Sequence, residues 1–494
     1  MGKNVSYYKS ARLTGSIEKD IRFFTDIFIN DALLRVRRIS IAGRENACAL
    51  IFMDGIASAA LIGSDIIRAA LCAKPGDDFT LSPENVVKYC LYSSEVRFCE
   101  NADEMLSSVM YGDSVLLTDG YEKAVIINTK GWRYRGVAEP PNERVTSGPR
   151  EGFDEAALLN VSQLRRKLQT PDLCVAQETL GRRTDTKVFI CYLGSLADKK
   201  LVSAVREKIR KIDMDGVLDA NYIAEKISDG HGLLFRTAGT TERPDIVAAR
   251  LLEGRVAVIV DGSPVALTLP FLLSENFQSN EDYYVNASIG SAARILRFIG
   301  FFIACFASGI YVSLVSFHAG FLPTFSALAI LKLRTGVPVS TLSECVALIF
   351  VLELLKEACS RAPRDTGTAL GVVGGLVLGE AAINTETVSA PALIIVALGG
   401  LCSVMLPRLR GAILFLNLTS TFFAGFFGLF GVFCVFSVTF IYITGLRSFG
   451  ADYTLSLKNP RLSGFKDVFI RASWKKMIAR PAIAKDETRQ RNED

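Results

Sequence analysis

The chain has 494 residues, 50% of them hydrophobic and 22% charged, and a mean hydropathy of +0.29. Its 56 Lys and Arg against 51 Asp and Glu leave a net charge of +5, too small at this size to imply a nucleic-acid partner. The averages hide a division: residues up to Asn286 have a globular composition, whereas Ala287 to Leu446 is largely apolar.

Taken in chain order, the N-terminus MGKNVSYYKS has no apolar core and reads as no secretory signal. It fits the short, loose Met-Gly-x-x-x-Ser myristoylation pattern. Residues 1–44 read as an extension. Residues 45–140 then read as a first α/β lobe and residues 185–286 as a second, because two pairs of stretches repeat. "CALIFMDGIASAALIGSDIIRAAL" from Cys48 resembles "KVFICYLGSLADKKLVSAVREKI" from Lys187: an apolar run, a Gly turn, then a helical period. "DSVLLTDGYEKAVIINT" from Asp113 resembles "GRVAVIVDGSPVALTLP" from Gly254, each predicting a hairpin at Asp119-Gly120 and Asp261-Gly262. Both pairs are offset by roughly 140 residues, about one domain length. The stretch 141–184 reads as a linker with a helix. Such a two-lobed module either holds a small ligand in its cleft or serves as a duplicated assembly scaffold. In the linker, Glu139, Arg150 and Glu151 are expected to lock the lobes together.

Chemistry-bearing motifs point away from catalysis. There is no G-x-S-x-G, Walker A or H-E-x-x-H pattern, and Asp54, Asp119 and Asp261 sit where tight turns favour Asp-Gly. Eleven scattered cysteines in no C-x-x-C spacing suit a reducing compartment, and His231 and His318 with no Cys/His cluster offer no zinc site. We therefore expect no catalytic residues, no metal and no cofactor.

From residue 287 the pattern changes to an all-α multi-pass membrane domain, 287–446, followed by a basic tail, 447–494. Ile295–Phe317, Gly367–Ile383 and Val388–Leu406 are candidate spans of the roughly 20 apolar residues a bilayer needs. Gly411–Ile443 is either one long tilted helix or a tight helical hairpin. "FLPTFSALAILKLRTG" and "CVALIFVLELL" have shorter cores, separated by Gly336 and Pro338, and read as broken or re-entrant helices. About four to six segments result. Arg294, Arg297, Arg361, Arg364, Arg408 and Arg410 flank the spans, and Arg447, Lys458, Arg461, Lys475 and Lys476 lie in the tail; "NTETV" has no basic residue. This asymmetry predicts that the N-terminal module and the tail are both cytoplasmic.

Glu353, Lys356, Glu357 and Glu380 are ionisable groups within this half. They lie either on a water-facing interfacial side or on an ion path. Gly371, Gly375 and Gly379 recur every four residues on one helix face. They pack either within the chain or against another subunit.

Ordered motifs from about Glu45 to Leu446 carry a family likeness: "RGVAEP", "GPREGFDE", "TERPDIVAARLLEGRVAVIVDGSP", "QSNEDYY", "FHAGFLPT", "LELLKEACSRAP" and "VVGGLVLGEAAIN…VSAP". With these the chain resembles the A subunit of GerA-type spore germination receptors. The resemblance implies a nutrient receptor subunit in the spore inner membrane that works with a B-type, transporter-like subunit and a C-type lipoprotein. It further implies homo-oligomerisation in the lipid bilayer into an ion-conducting pore. A solute or ion transporter and a non-conducting receptor scaffold are the alternative functions. Within the motifs, Gly148, Pro149, Arg150, Glu151, Glu242, Arg243, Pro244, Asp245, Glu253, Gly254, Arg255, Asp261 and Gly262 are expected to be structural. The chain departs from the family with Gly320, Gly336 and Ile349 at places where acids are usual, and with Glu380 where an amide is usual.

Overall fold

A computed structural model of the chain describes residues 13–28, 31–41, 44–73, 79–131, 140, 143, 145–229, 234–454 and 467–473. Glu139, His231, Lys458, Arg461, Lys475, Lys476 and the myristoylation pattern lie outside the described residues.

The soluble half is two copies of one topology. The first copy runs α1 (Ile17–Ile27), β1 (Leu34–Ile41), β2 (Arg44–Met53), a helix made of α2 (Ala59–Leu61), a π-helical stretch and α3 (Ala69–Cys72), α4 (Pro83–Cys90), β3 (Val96–Cys99), α5 (Ala102–Tyr111), β4 (Ser114–Thr118) and β5 (Ala124–Ile127). The second runs α6 (Ala157–Lys167), β6 (Leu173–Leu180), β7 (Thr186–Leu193), α7 (Lys199–Arg210), α8 (Ala220–Ile227), β8 (Gly239–Thr241), α9 (Pro244–Leu252), β9 (Val256–Val260) and β10 (Ala266–Leu269). The sheets have orders β1-β2-β4-β5-β3 and β6-β7-β9-β10-β8, so strand follows strand identically in both. Every pairing is antiparallel.

The boundaries differ from the expected ones. β1 pairs along β2 and lies ahead of residue 45, and α6 with β6 lies ahead of residue 185. What reads as an extension and a linker thus supplies a helix and an edge strand to each unit. The cause is the repeat itself, since α1–β1 in the first unit corresponds to α6–β6 in the second. Composition hid this, because β1 (LRVRRISI) alternates charge with apolar side chains as a half-exposed edge strand does.

Asp-Gly turns tie each unit together. Gly120 and Gly262 take φ of +85° and +87°, the left-handed region that glycine enters without strain. Beside them, Asp119 accepts from the Ile17 amide (3.4 Å) and Asp261 from the Ala157 amide (3.0 Å). Each aspartate therefore satisfies an otherwise unpaired donor at the start of α1 or α6.

Among the described residues the two units meet through a shared core. One apolar core contains α1, α5, α6 and α9 together with the inner faces of both sheets, including Phe24, Ile51, Met105, Val161, Phe189 and Leu251. Separate cores under α3–α4 and under α7–α8 cover the outer faces. The buried pair Arg165–Asp31, each side chain 1% exposed, crosses the shared core.

The second half is helical: α10 (Ala287–Ser316), α11 (Thr324–Arg334), α12 (Thr341–Arg361), α13 (Arg364–Asn384), α14 (Ala390–Val404), α15 (Arg410–Phe427) and α16 (Leu429–Gly445). Ala287–Ser316 and Pro407–Phe427 are long and apolar enough to cross a membrane; α14 and α16 are shorter apolar helices. α10 leaves the module at Asn286, whose side chain caps the helix at the Ser288 amide. α15 runs alongside it, with Ser420 Oγ donating to the Cys305 carbonyl at 2.7 Å.

Gly411–Ile443 resolves into the hairpin alternative. Gly428, at φ +63°, separates α15 from α16, and the returning Tyr442 hydroxyl accepts from the Leu234 amide at 3.2 Å. Below it, the β11–β12 hairpin (Arg447–Ser448, Ala451–Asp452) docks on the module, where Ser448 Oγ donates to the Thr237 carbonyl at 2.7 Å. Of the two short segments, only α11 remains short; "CVALIFVLELL" lies within the 21 residues of α12. At about 1.5 Å per residue, α12 is about as long as a bilayer core is thick.

Candidate functional site: the junction between module and helices

The densest polar construction in the described residues lies where α9 meets the root of α10. It starts from the stretch TERPD. Pro244 opens α9 at a position where its missing N–H costs nothing. Arg243, fully buried, points back: Nη2 donates to the Pro149 carbonyl at 2.7 Å, Nη1 to the Glu143 carbonyl at 3.3 Å, and Nε to Asp245 at 3.0 Å. Asp245 also accepts from the Tyr284 hydroxyl at 2.8 Å. Burial pushes the Asp245 carboxyl up, but the bonds from Arg243 and Tyr284 outweigh it and hold it below the ordinary value of 3.8. Gly148 sits at φ +114° against the Tyr284 ring, so a side chain there would be strained and crowded.

At the other end of α9, Arg250 pairs with Glu253 (3.0 Å) and Glu275 (3.1 Å), and Arg255 pairs with both acids. Glu275 is 2% exposed and Arg255 also donates to the Pro270 carbonyl at 2.8 Å. Buried charges of this kind persist only when paired and hydrogen-bonded. Glu242 is buried at the opposite end of α9, ahead of Arg243, and Gly254 takes φ +79° to turn the chain into β9.

The root of α10 is clamped by the same chemistry. Asp282, 2% exposed, receives Arg297 at 2.8 Å and Arg294 at 3.3 Å. Arg294 also reaches Asp467 at 3.0 Å, and the Asp467 carboxylate accepts from the Tyr283 hydroxyl at 2.7 Å. Arg471 donates to the Val285 carbonyl at 2.5 Å. Finally Arg408, on the turn before α15, lies 2.7 Å from Glu143, whose other oxygen accepts from Thr241 Oγ1 (2.6 Å) and the Glu242 amide (3.0 Å). Beside these pairs lies a part-open cavity of about 380 Å³ with Arg243, Arg250, Arg297, Arg408, Glu143 and Glu253 in its wall.

Within the bundle, Glu353 and Lys356 meet at 2.7 Å, Lys356 also donates to Ser403 Oγ at 2.8 Å, and Arg410 reaches Glu353 at 3.5 Å. Glu353 and Lys356 are about one-fifth exposed. The structure therefore joins α12, α14 and α15 through three charges. Glu357 stands apart in an exposed pair with Arg361, and Glu380 is exposed on α13.

The glycine stripe divides. Cβ atoms at Gly371 and Gly379 would touch Cys359 and Leu393 at 3.5 Å, whereas one at Gly375 would meet nothing. Close helix packing falls instead on Gly374, against Leu355, and Gly400, against Leu352.

In the linker, Arg150 is exposed and forms no ion pair among the described residues, while Glu151 pairs with Arg166 and with Lys167 (2.9 Å). Both of those partners lie on α6, so Glu151 ties the linker to the second unit; Arg165–Asp31 bridges the units. Among the described residues no group of three or more His, Cys, Asp or Glu is placed to hold a metal ion.

Two clusters escaped the reading of the sequence. Arg294, Arg297 and Arg408 read as topology-setting charges, and their acids are up to 265 positions away in the chain. Glu344, fully buried at the end of the bundle remote from the module, accepts from the Ser389 amide and faces Arg334 at 3.5 Å. Only its place among apolar residues signals it.

A family profile described as Bacillus/Clostridium GerA spore germination protein matches residues 20–483. Spore germination protein KA of Bacillus subtilis (strain 168) is 33% identical over 466 residues, 93% of this chain and 85% of that protein. Spore germination protein GerLA of Bacillus cereus is 30% identical over 475 residues, 96% of each. Among solved structures, the N-terminal domain of the A subunit of the Bacillus megaterium spore germinant receptor GerK3 is 27% identical; the match covers 52% of this chain and 96% of that one, with a TM-score of 0.41.

Proposed function

Because the chain belongs to the GerA family of spore germination proteins, as a germinant receptor A subunit, we propose that it signals germination by forming an oligomeric ion-conducting pore in the spore inner membrane. The observation that supports conduction is the Glu353–Lys356–Arg410 group inside the bundle. Ionisable side chains within membrane-spanning segments are costly and mark ion or substrate paths by default. Glu357, on the same helix α12, and Glu380, on α13, lie exposed, where they would line the water-filled approach or a subunit seam. The open face at Gly375 would form part of that seam, closing a ring by a heterologous contact.

B-type, transporter-like and C-type lipoprotein subunits are the partners of this reading. The module and the tail lie on the cytoplasmic face, and α10, α12, α13, α14, α15 and α16 make an even number of crossings. A cysteine placed at Thr385 should react with an impermeant thiol reagent added outside, and one at Ala451 should not. The reverse pattern inverts the topology.

A non-conducting scaffold is the second reading, favoured by the satisfaction of both Glu353 oxygens by cations. In either case, expression with its neighbouring receptor genes in spores lacking their own receptors should restore nutrient-triggered germination. Membrane accumulation of all subunits without restoration contradicts the receptor assignment.

A further inference from the structure

We propose that the junction cavity binds a phosphate-ester anion. The wall carries four arginines against two glutamates. Asp245, Glu275 and Asp282 stand one layer behind and hold the guanidinium groups in place. Arg243 is fully buried and committed to Asp245 and two carbonyls. Arg250, Arg297 and Arg408, in contrast, line the cavity with their positions already set by ion pairs, which lowers the ordering cost of binding an anion. Each guanidinium has five N–H donors in a fork that matches phosphate oxygens. Among the described residues Arg408 uses one strong bond to Glu143 and one long contact, 3.5 Å, to the Glu275 carbonyl, so donors remain for a ligand.

The rest of the cavity fits an ester better than a bare ion. Its volume of about 380 Å³ lies within the roughly 300–1,000 Å³ of small-molecule pockets and is an order of magnitude above the roughly 30 Å³ share of one water. The donors of Asn276, Gln278, Asn280 and Tyr284 are bonded to Tyr453, Asp467 and Asp245, and the amide oxygens of Asn276 and Asn280 are acceptors suited to the hydroxyls of a glycerol-like portion. On the helical side the wall is Met405 and Pro407, and beyond Met405 the exposed Val404 and Leu401 continue an apolar strip down α14. A lipid headgroup could therefore enter with its chains lying along α14, as basic pockets beside membrane helices accept anionic lipids. A free phosphate ester would use the same donors without the strip.

The test uses the full chain in neutral detergent, following its thermal midpoint. The probes are phosphatidylglycerol mixed into the micelles, phosphatidylcholine as the uncharged control, and sn-glycerol 3-phosphate. We expect a saturable rise with phosphatidylglycerol or glycerol phosphate that exceeds the control. Arg408→Gln should weaken it about tenfold, the worth of one charge-assisted bond. Ala249→Phe, which fills the cavity without touching an ion pair, should abolish the rise. A response to phosphatidylglycerol alone identifies a lipid, and a response to glycerol phosphate identifies a soluble ester. No saturable rise with either anion, or an undiminished rise in a folded Ala249→Phe protein, overturns the site. Neither result depends on whether the bundle conducts.

Discussion

Nη2 of Arg408 lies 2.7 Å from Oε1 of Glu143, so the turn leading into α15 is fastened to the segment between the two α/β units. The same carboxylate accepts from Thr241 and from the Glu242 amide at the head of α9. A shift of α15 relative to the module must therefore strain or break a bond at α9. This gives the module a direct mechanical connection to the helices, through one side chain about a quarter exposed at each partner.

Glu143→Gln should loosen that connection without unfolding either half. For a half-buried pair the loss is about 1 kcal/mol, after allowance for solvent screening. Hydrogen exchange should accelerate at the Glu242 amide while β9 stays protected. Unchanged exchange at Glu242 would show that Glu143 does not hold α9.

The two α/β units are held by a different contact. Asp31→Ala strands the buried Arg165 charge, and a broken buried pair costs about 3–5 kcal/mol. Residues 1–286 contain three complete apolar cores and expose Phe235, Phe271 and Phe277 when cut from the helices. We expect that fragment to unfold cooperatively in urea, and Asp31→Ala with Arg165→Met to recover most of what Asp31→Ala loses. Equal destabilisation in the single and double variants would refute the buried-charge explanation.

The duplicated turns provide an internal control. Asp119→Ala and Asp261→Ala each remove a cap from the first turn of the helix beside them, at a cost of about 1 kcal/mol apiece. The Asp261 bond is the shorter by 0.4 Å, so its loss should be the larger in urea melts of the fragment. Indifference of both variants would reduce the repeat to a resemblance of shape.

Acid should release the head of α9. The Asp245 carboxyl is held below its ordinary value, so it contributes stability that is present above about pH 4 and lost as pH falls through its lower folded value. Asp245→Asn should flatten the acid limb of the thermal-midpoint profile below about pH 4. An acid limb identical to that of the parent protein would assign the effect to other groups.

The legibility of the sequence followed the range of the interactions. Asp119-Gly120 and Asp261-Gly262 announce hairpins because turn chemistry is local, and the repeat follows from their spacing. β1 was obscured because an edge strand with exposed arginines lacks a continuous apolar run. The junction was harder still. Arg294 and Arg297 look like boundary charges until the fold turns Asp282, 12 and 15 positions earlier, back onto them, and Asp467, 173 positions beyond Arg294, leaves no local pattern at all. Glu353 and Lys356 were visible as charges in an apolar run, but Arg410 and Ser403, which complete the group, come from other helices.

On the proposed reading, ions cross the membrane beside Glu353. The measurement is ion flux from liposomes holding the chain with its neighbouring receptor subunits, triggered by a nutrient mixture. Wild-type complexes should release ions. Glu353→Gln, which keeps the shape and removes the charge, should change the rate or the cation-over-anion preference while the complex elutes at an unchanged size. Flux and preference identical in the two complexes, or no triggered flux from a wild-type complex that is intact and correctly oriented, would contradict the account and leave the scaffold reading.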